Sequence, residues 1–310
     1  MHETSAMSQT GFSHLALILT GIPGLQHVYY WTAFPLWNCL ILIIIKKTQS
    51  LHKPTYYFLS MLAVMDLGLA LCTLPTTLGI FWFKIRKIEF NACLTQMYFI
   101  HILSVMESSV LLAMAFDRFI AISNPLRYSS ILTKPTIIKI GLAIVSRAVI
   151  SLFPIPFLLK RLTYCGNDVL SHSFCFHPDI MKLACADIKV NILYGLIVIL
   201  STVGVDFVFI VLSYVLIIKT VVSLTTKEKC LKALNTCVSH ICAVLIFFIP
   251  MIGLSILHRC GDNVPPMVYI VVGYIYLIVP PVLNPIIYSV KSKLIRRAML
   301  RTLWWKNESM

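Results

Sequence analysis

Residues 114–123 read Met-Ala-Phe-Asp-Arg-Phe-Ile-Ala-Ile-Ser and close the third of seven long apolar segments. Asp117 and Arg118 place opposite charges on adjacent residues, where a hydrophobic helix should leave the lipid. Packing does not explain such a pair well, because charges within membrane segments are costly and usually mark function. The other apolar segments therefore decide whether this stretch belongs to a membrane-spanning bundle.

The composition is that of a membrane protein. Hydrophobic residues make up 58% of the 310 residues and charged residues 12%, against roughly 25% charged residues in soluble domains. A helix needs roughly 20 apolar residues to cross a bilayer, and its backbone must satisfy its own hydrogen bonds there. The sequence predicts an all-α membrane protein, a single seven-transmembrane domain over residues 1–310 with a short amphipathic helix at 291–303. The predicted spans are residues 28–45, 56–80, 95–116, 137–159, 191–218, 233–257 and 267–290.

The basic residues predict the orientation. If the N-terminus lies outside, 17 of the 26 Lys and Arg residues fall in cytoplasmic segments and 8 in outer segments. The excess of positive charge on the inner side places residues 1–27 outside the cell and residues 291–310 in the cytoplasm. The net charge of +14 is then a topology signal that also attracts anionic membrane lipid. It does not indicate nucleic-acid binding, because the basic residues are spread over the loops.

Four cysteines lie at the outer start of the third span or in the long outer loop, where disulfides form: Cys93, Cys165, Cys175 and Cys185. Four cysteines allow three pairings, and spacing alone leaves all three open. No Cys-x-x-Cys metal pattern occurs in the sequence, and neither does a motif of a hydrolase, a zinc protease or a phosphate-binding loop. The sequence therefore predicts that the protein is not an enzyme.

Charged residues also occur inside the predicted spans. Asp66 and Glu107 lie at similar depths in the second and third spans, and Arg147 and Asp206 lie in the fourth and fifth. Two carboxylates at one depth repel each other unless a proton or a cation lies between them. A sodium ion held by Asp66 and Glu107 is one hypothesis. The alternative is a protonated Glu107 bonded to neighbouring Ser or Asn side chains.

Five motifs, in the right order, resemble those of the odorant (olfactory) receptors, in particular the class I or fish-like branch of this rhodopsin-like G-protein-coupled receptor family. They are Pro54-Thr-Tyr-Tyr-Phe-Leu-Ser-Met-Leu-Ala63 with Asp66-Leu67, residues 114–128 around Asp117-Arg118, Ser213-Tyr214, Lys232-Ala-Leu-Asn-Thr-Cys-Val-Ser-His240, and Pro280-Pro-Val-Leu-Asn-Pro-Ile-Ile-Tyr288.

The resemblance implies a receptor for a small-molecule odorant, acting through the olfactory stimulatory type of heterotrimeric G protein and cyclic AMP at the plasma membrane. It implies disulfides Cys93–Cys175 and Cys165–Cys185. It also implies that Asp117 holds Arg118 when the receptor is idle. The residues that it assigns to coupling and activation are Asp117, Arg118, Tyr214, His240, Asn284, Pro285 and Tyr288.

Helical spacing predicts the ligand site. His101, Ser104 and Ser108 recur at helical intervals and form one stripe, with His101 roughly 12 Å inside Cys93. Ser255 and Arg259 are four residues apart and share a face of the sixth span. An Arg near a His can bind a carboxylate through charge-assisted hydrogen bonds. The prediction is a polar odorant with a carboxylic acid group. In the alternative, Arg259 extends to the loop and His101 bonds only a backbone carbonyl.

Other functions remain open at this stage. A seven-helix receptor for an endogenous metabolite would have the same motifs. A poorly expressed or non-functional copy is also compatible, because the first span is short around Phe34–Asn38 and residues 1–27 contain no Asn for glycosylation. A transporter is disfavoured, because the sequence shows no internal repeat or broken helices in matching positions.

Overall fold

The structure is a computed structural model that describes residues 16–19, 29–165, 169–170, 172–222, 227–260 and 264–304. Within its helices, the side chains at 29–34, 81, 227–236, 259–260, 266, 290–291, 293 and 300–304 are not described.

Helices dominate the described residues. Their bounds are α1 (Tyr29–Lys47), α2 (Pro54–Phe81), α3 (Phe90–Ser123), α4 (Tyr128–Ile131), α5 (Lys134–Leu152), α6 (Pro154–Lys160), α7 (His177–Lys182), α8 (Lys189–Ile199), α9 (Val205–Val222), α10 (Lys227–Cys260), α11 (Pro266–Lys291) and α12 (Lys293–Trp304). A 3₁₀ turn covers Gln49–Leu51, and a π-helical segment, Leu200–Gly204, joins α8 to α9.

Six helical stretches of the described residues are long and apolar enough to cross a membrane: Pro54–Ile80, Phe90–Ser123, Lys134–Lys160, Lys189–Val222, Cys237–His258 and Met267–Ser289. They correspond to the second to seventh predicted spans, which confirms an all-α membrane protein. The 19-residue α1 matches the first predicted span in position, but it is not among these six stretches.

We call the end of the bundle that holds Cys93 and Cys175 the outer end, and the end that holds Arg118 the inner end, after the orientation predicted from charge. Helix α3 is the most buried of the spans and packs against α2, α5, α9 and α10. The helix extends beyond the predicted residues 95–116 at both ends, because a helix does not have to stop where the membrane does. Residues on α3 can therefore connect the two ends of the bundle.

Two spans are not continuous α-helices. The fourth is divided at Phe153 between α5 and α6, where Pro154 lacks the backbone N–H that a continuing helix needs. The fifth contains the π-helical segment, whose wider turns leave backbone carbonyls of residues 201 and 202 available to a side chain, as described below.

The outer end carries a small sheet that the sequence did not predict. Strand β1 (Ala16–Leu19) lies between β2 (Lys87–Glu89) and β3 (Val169–Leu170), antiparallel to β2 and parallel to β3. Leu17 and Leu19 are buried beneath it, as expected for side chains that alternate across a strand. The described part of the N-terminal region is thus paired with the segment that leads into α3.

Both disulfides implied by the family resemblance are present. Cys93 is bonded to Cys175, and Cys165 is bonded to Cys185, with Cα–Cα distances of 5.4 and 5.9 Å. The backbone N–H of Cys175 also donates to Gln96 Oε1 at 3.0 Å. The loop between α6 and α8 is thereby fixed against the start of α3, and its helix α7 lies over the outer end of the bundle.

Candidate ligand site and signalling network

A cavity of about 460 Å³ lies beneath α7 at the outer end. Its lining comes from α3, α5, α6, α7, α8 with the adjoining π segment, α10 and α11, and most of it is aliphatic. Side chains such as Leu152, Val203 and Leu254 form the apolar wall. Its size and apolar lining are typical of small-molecule sites, in which a few polar groups fix the orientation of the ligand.

The structure brings three of the predicted ligand residues to this cavity: His101, Ser104 and Ser255. His101 Nδ1 lies 2.7 Å from the carbonyl of Met97, to which it donates, and the ring stacks on Phe176 with centroids 5.3 Å apart. The backbone contact that the sequence left as an alternative is therefore present. It fixes the ring and leaves Nε2 as the nitrogen that can bind a ligand.

Ser104 and Ser108 occupy different environments despite their shared helix face. The hydroxyl of Ser104 lies 2.6 Å from the hydroxyl of Tyr276 on α11, and both residues line the cavity. Ser108 lies one turn deeper, is fully buried, and donates to Asp206 at 2.9 Å. Ser108 is not part of the cavity lining, because its hydroxyl is engaged by a carboxylate below the cavity floor.

Arg259 occupies the last turn of α10, but its side chain lies outside the described residues. Its predicted contact with a carboxylate therefore stays a prediction. The structure does describe another cation at the cavity, Lys182 at the end of α7. Lys182 Nζ lies 5.0 Å from the centre of the Tyr269 ring. Sequence reasoning did not single out Lys182, because a lysine in a long loop gives no sign of which way it faces.

A buried polar cluster lies beside the outer end of the cavity, which His258 lines, and was also not predicted. It consists of His172, Asp179 and His258, which we call the outer triad. Asp179 accepts hydrogen bonds from Nδ1 of His172 and from Nε2 of His258, the latter at 3.2 Å. Burial alone would raise the pKa of the Asp179 carboxyl, but these two imidazole contacts outweigh burial and hold it below its usual range.

Two carboxylates and an amide form a second buried group, midway along the bundle. Asp66, Glu107 and Asn284 are each only 1–2% exposed. Asn284 Nδ2 donates to Glu107 Oε1 at 3.4 Å. Neither carboxylate oxygen of Asp66, nor the amide oxygen of Asn284, has a hydrogen-bond partner among the described protein groups. The structure therefore brings together the two acids that the sequence placed at one depth.

The other two intramembrane charges form an ion pair. Arg147 NH1 lies 2.7 Å from Asp206 Oδ1 and 3.0 Å from Ser109 Oγ. Its NH2 donates to the carbonyls of Ser201 and Thr202 in the π-helical segment, at 3.1 and 2.8 Å. Arg147 thus neutralises a buried carboxylate. It also donates to two backbone carbonyls that would accept hydrogen bonds from backbone N–H groups in a regular α-helix. Thr202 and its neighbour Val203 line the cavity, so this pair shapes the cavity wall.

At the inner end, Asp117 is bound mainly by neutral donors. Its carboxylate accepts from Thr55 Oγ1 at 2.8 Å and from the Tyr128 hydroxyl at 2.6 Å. Arg118 Nε lies 4.0 Å from the same carboxylate and has no hydrogen-bond partner among the described residues. Asp117 and Arg118 thus form an ion pair at 4.0 Å, whereas the hydrogen bonds to the Asp117 carboxylate come from Thr55 and Tyr128.

Arg118 faces the residues that the family resemblance assigned to activation. It lies near enough to interact electrostatically with Tyr214, His240 and Tyr288. His240 Nε2 donates to the carbonyl of Leu111 at 3.0 Å, since a carbonyl can only accept. The neutral ring then accepts from the Tyr214 hydroxyl at its Nδ1, 2.6 Å away. His240 consequently links α3, α9 and α10.

The residues of α11 lie in the same region. Asn284 reaches the buried carboxylates, and Pro285 lies inside the helix, where it removes one backbone hydrogen bond. Tyr288 is buried, and its hydroxyl has no hydrogen-bond partner among the described residues. The predicted coupling residues therefore form one connected region between the two buried carboxylates and the inner end.

The chain is similar to known proteins over most of its length. A family model described as olfactory receptor matches residues 27–306. Olfactory receptor 51G2 of Homo sapiens is 57% identical over 288 residues, which cover 90% of this chain and 92% of that protein. Olfactory receptor 51G1 of Homo sapiens is 53% identical, covering 91% of each chain. Olfactory receptor 51E2 of Mus musculus is 48% identical, covering 95% of each.

Proposed function

The chain belongs to the olfactory receptor family and is an odorant-sensing G-protein-coupled receptor of the membrane, not an enzyme, and we propose that it detects small carboxylic acids in the outer cavity. The observation that carries this proposal is the division of the cavity into an aliphatic wall and an outer end with Lys182, His101 and Ser255. A carboxylic acid with a short hydrocarbon chain matches this arrangement, because its chain would contact the aliphatic wall and its carboxylate would lie at the polar outer end.

Charge and hydrogen-bonding capacity support an anionic headgroup. Lys182 supplies a positive charge, and Nε2 of His101 and the hydroxyl of Ser255 supply polar contacts. Asp179 is also close to the outer end of the cavity, but its carboxylate accepts hydrogen bonds from His172 and His258, which offset its negative charge. Arg259, four residues after Ser255, would add a second positive charge at the same end.

We infer further that the inner end couples to a heterotrimeric G protein of the olfactory stimulatory type and raises cyclic AMP. The exposure of Arg118 to the region between α3, α9 and α10 supports this inference, because opening of α10 would give a partner access to it. Arg118 is 17 residues from His101 on α3, about 25 Å by helix rise, and does not contact a ligand in the cavity.

The buried pair of Asp66 and Glu107 supports a bound sodium ion. Asp66 Oδ1, Asp66 Oδ2 and Asn284 Oδ1 are buried oxygens without a protein partner among the described residues. Oxygen atoms of this kind are the ligands that hard cations prefer. In the alternative, Glu107 is protonated and the site holds no ion.

We propose that the receptor lies in the plasma membrane, as the family resemblance implies, with its N-terminus outside, as the charge distribution predicts. Helix α12 supports contact of the inner end with membrane lipid. Ile295 and Met299, one turn apart, are buried against the bundle, whereas Arg296 and Arg297 are exposed. A basic helix with this arrangement lies along a membrane surface and attracts anionic lipid.

A cyclic AMP reporter assay tests the proposal. Cells that express the receptor are exposed to carboxylic acids and to alcohols of equal chain length, with surface staining to correct for expression. The acids should activate and the alcohols should not. Lys182→Gln should raise the concentration of acid needed by about tenfold, the lower bound for losing a charged hydrogen-bond partner.

Lys189→Gln is the matched control for Lys182, because Lys189, the first residue of α8, is exposed, pairs with Asp187 and does not line the cavity. Arg118→Ala serves as a control that reaches the surface and does not signal. Equal responses to alcohols and acids would contradict a carboxylate site.

A further inference from the structure

We propose that the outer triad, His172, Asp179 and His258, is a binding site for a divalent transition-metal ion, with Zn²⁺ as the best-matched species. The triad offers two imidazole nitrogens and a carboxylate oxygen, which all lie within 4.8 Å of one another. Two His and one carboxylate form a ligand set that zinc uses when a fourth position is left open.

The donor atoms already converge on one region. His258 Nε2 is 3.2 Å from Asp179 Oδ1, and His172 Nδ1 contacts Asp179 Oδ2. In a zinc site the ligand atoms lie about 2.0–2.2 Å from the ion. Two ligand atoms of one ion are then about as far apart as His258 Nε2 and Asp179 Oδ1 are here. A small outward movement of the His172 ring would admit the ion. His258 Nε2 would then release its proton, and the proton of His172 would move from Nδ1 to Nε2, because a nitrogen that binds a metal cannot carry a proton.

The rings are held in place from behind. His258 Nδ1 lies 2.9 Å from the carbonyl of Leu254, to which it donates, so its Nε2 is the nitrogen directed at the triad. A ring N–H bonded to a backbone carbonyl is the usual support of a metal-binding histidine. The rings of His172 and His258 are stacked, with centroids 5.5 Å apart.

Packing against α11 restrains His172 as well. A Cβ at position 273 would lie 2.8 Å from His172 Nε2, so only Gly273 leaves room for the ring. The same Nε2 is buried and has no hydrogen-bond partner among the described residues. The His172 ring is therefore confined by packing against α11 and not by a second hydrogen bond.

Burial argues for the same site. His172 is 1% exposed, Asp179 is 3% exposed and the side chain of His258 is 2% exposed. Ionisable groups are rarely buried together unless they are paired or bind a metal. Because His258 also lines the cavity, an ion in the triad could be reached from the cavity and would have its open coordination position there.

The site joins two segments that are far apart in sequence. His172 and Asp179 belong to the outer loop, whereas His258 is in the last turns of α10, the helix that also carries His240 near its middle. Zinc would tie the outer loop to α10. If the proposed acid ligand is correct, the ion would add positive charge beside its headgroup, and that consequence rests on the proposed function.

Zinc binding can be measured without any odorant. The full chain, purified without a polyhistidine tag and treated with a chelator, is titrated with Zn²⁺, and thermal unfolding is followed with and without the ion. We expect one zinc per receptor with a raised unfolding temperature, and no such effect from Mg²⁺ or Ca²⁺, which prefer oxygen ligands.

Asp179→Asn and His258→Gln should each weaken zinc binding by about 100-fold or more, since loss of even a supporting group costs about 10- to 100-fold. His52→Gln is the control, because His52 is exposed at the inner end and should leave binding unchanged. Absence of zinc stabilisation in the unaltered receptor, or unchanged binding in Asp179→Asn, would overturn the proposal.

A spectroscopic measurement on the unaltered receptor covers the case in which a variant fails to fold. Co²⁺ bound by two imidazoles and a carboxylate in a four- or five-coordinate site gives strong visible absorption bands. Weak octahedral bands from Co²⁺ at saturation would overturn the site. Failure of the receptor to respond to acids would leave both zinc measurements unaffected, so the two proposals are tested separately.

Discussion

Tyr128 and Asp117 are joined by a 2.6 Å hydrogen bond in which the phenol donates to carboxylate Oδ1. Burial raises the pKa of Tyr128, and the contact with Asp117 raises it further, so the hydroxyl remains protonated and able to donate at neutral pH. This bond holds the segment after α3 against the end of α3. The other carboxylate oxygen, Oδ2, accepts from Thr55 and lies 4.0 Å from Arg118 Nε.

Removal of this hydroxyl should favour a closer Asp117–Arg118 pair. In Tyr128→Phe, Asp117 loses one of its two neutral donors and becomes available to the guanidinium, which reduces the share of receptors with Arg118 free to engage a G protein. A hydrogen bond to a charged group is worth roughly 1.5–3 kcal/mol. We expect lower basal cyclic AMP and an agonist potency reduced by about tenfold.

The control for Tyr128→Phe is Ser130→Ala, in the same short helix α4, because Ser130 bonds only the carbonyl of Arg127 among the described contacts. Concentration–response curves at matched surface expression give both values. Basal output and potency equal to those of the unaltered receptor would show that Tyr128 does not control Arg118.

The ion pair between Arg147 and Asp206 should be required for a stable bundle. Asp206→Asn leaves the Arg147 guanidinium without its counter-charge in apolar surroundings, and breaking a buried pair in this way typically costs about 3–5 kcal/mol. We expect a lower unfolding temperature in detergent and less receptor at the cell surface. Ser146→Ala is the control, because Ser146 is exposed on the same helix and bonds only the Ala143 carbonyl among the described contacts.

Replacement of both charges distinguishes the pair from a simple packing defect. Arg147→Met combined with Asp206→Leu removes the uncompensated charge and should recover part of the lost surface expression. A double variant as unstable as Asp206→Asn would indicate that the contacts of Arg147 with the Ser201 and Thr202 carbonyls, and not its charge, maintain the structure.

Much of the architecture could be predicted from the sequence, and the exceptions have physical reasons. Hydropathy located the second to seventh spans, because the bilayer sets their length and composition. It could not locate the π-helical segment Leu200–Gly204, whose free carbonyls are bound by Arg147 from another helix. The division of the fourth span was signalled locally by Pro154.

The candidate site was predicted in part. Helical spacing correctly placed His101 and Ser104 on one stripe, and Ser255 reached the same cavity. Spacing could not show that the cavity ends above Ser108, because that depends on Asp206 of the fifth span. The outer triad was not predictable, since His172 and His258 are 86 positions apart and only the disulfide-fixed loop brings them together.

The sodium hypothesis predicts that agonist potency depends on sodium. A cation favours the idle receptor only if its site is better formed in that state. Replacement of Na⁺ by a large organic cation should then raise agonist potency in receptor membranes, and Asp66→Asn should remove this difference. A sodium-independent response of the unaltered receptor would favour a protonated Glu107.

Arg259 should contribute to recognition of the acid through a charge and a planar pair of donors. Arg259→Lys retains the charge but cannot reproduce bidentate binding of a carboxylate, so it should reduce the response to acids. Arg259→Ala should weaken it by roughly 10- to 150-fold, corresponding to about 1.5–3 kcal/mol. Equal potency of both variants and the unaltered receptor would leave Lys182 as the cation responsible.

The most direct test compares a carboxylic acid with its own methyl ester on the unaltered receptor. The two molecules share the hydrocarbon chain that the aliphatic wall would bind and differ in the negative charge that the outer end would bind. Cyclic AMP is measured over a range of concentrations, with surface staining of the same cells. The account predicts activation by the acid at concentrations at least about tenfold lower than by the ester. An ester as potent as its acid would contradict a carboxylate site in the outer cavity.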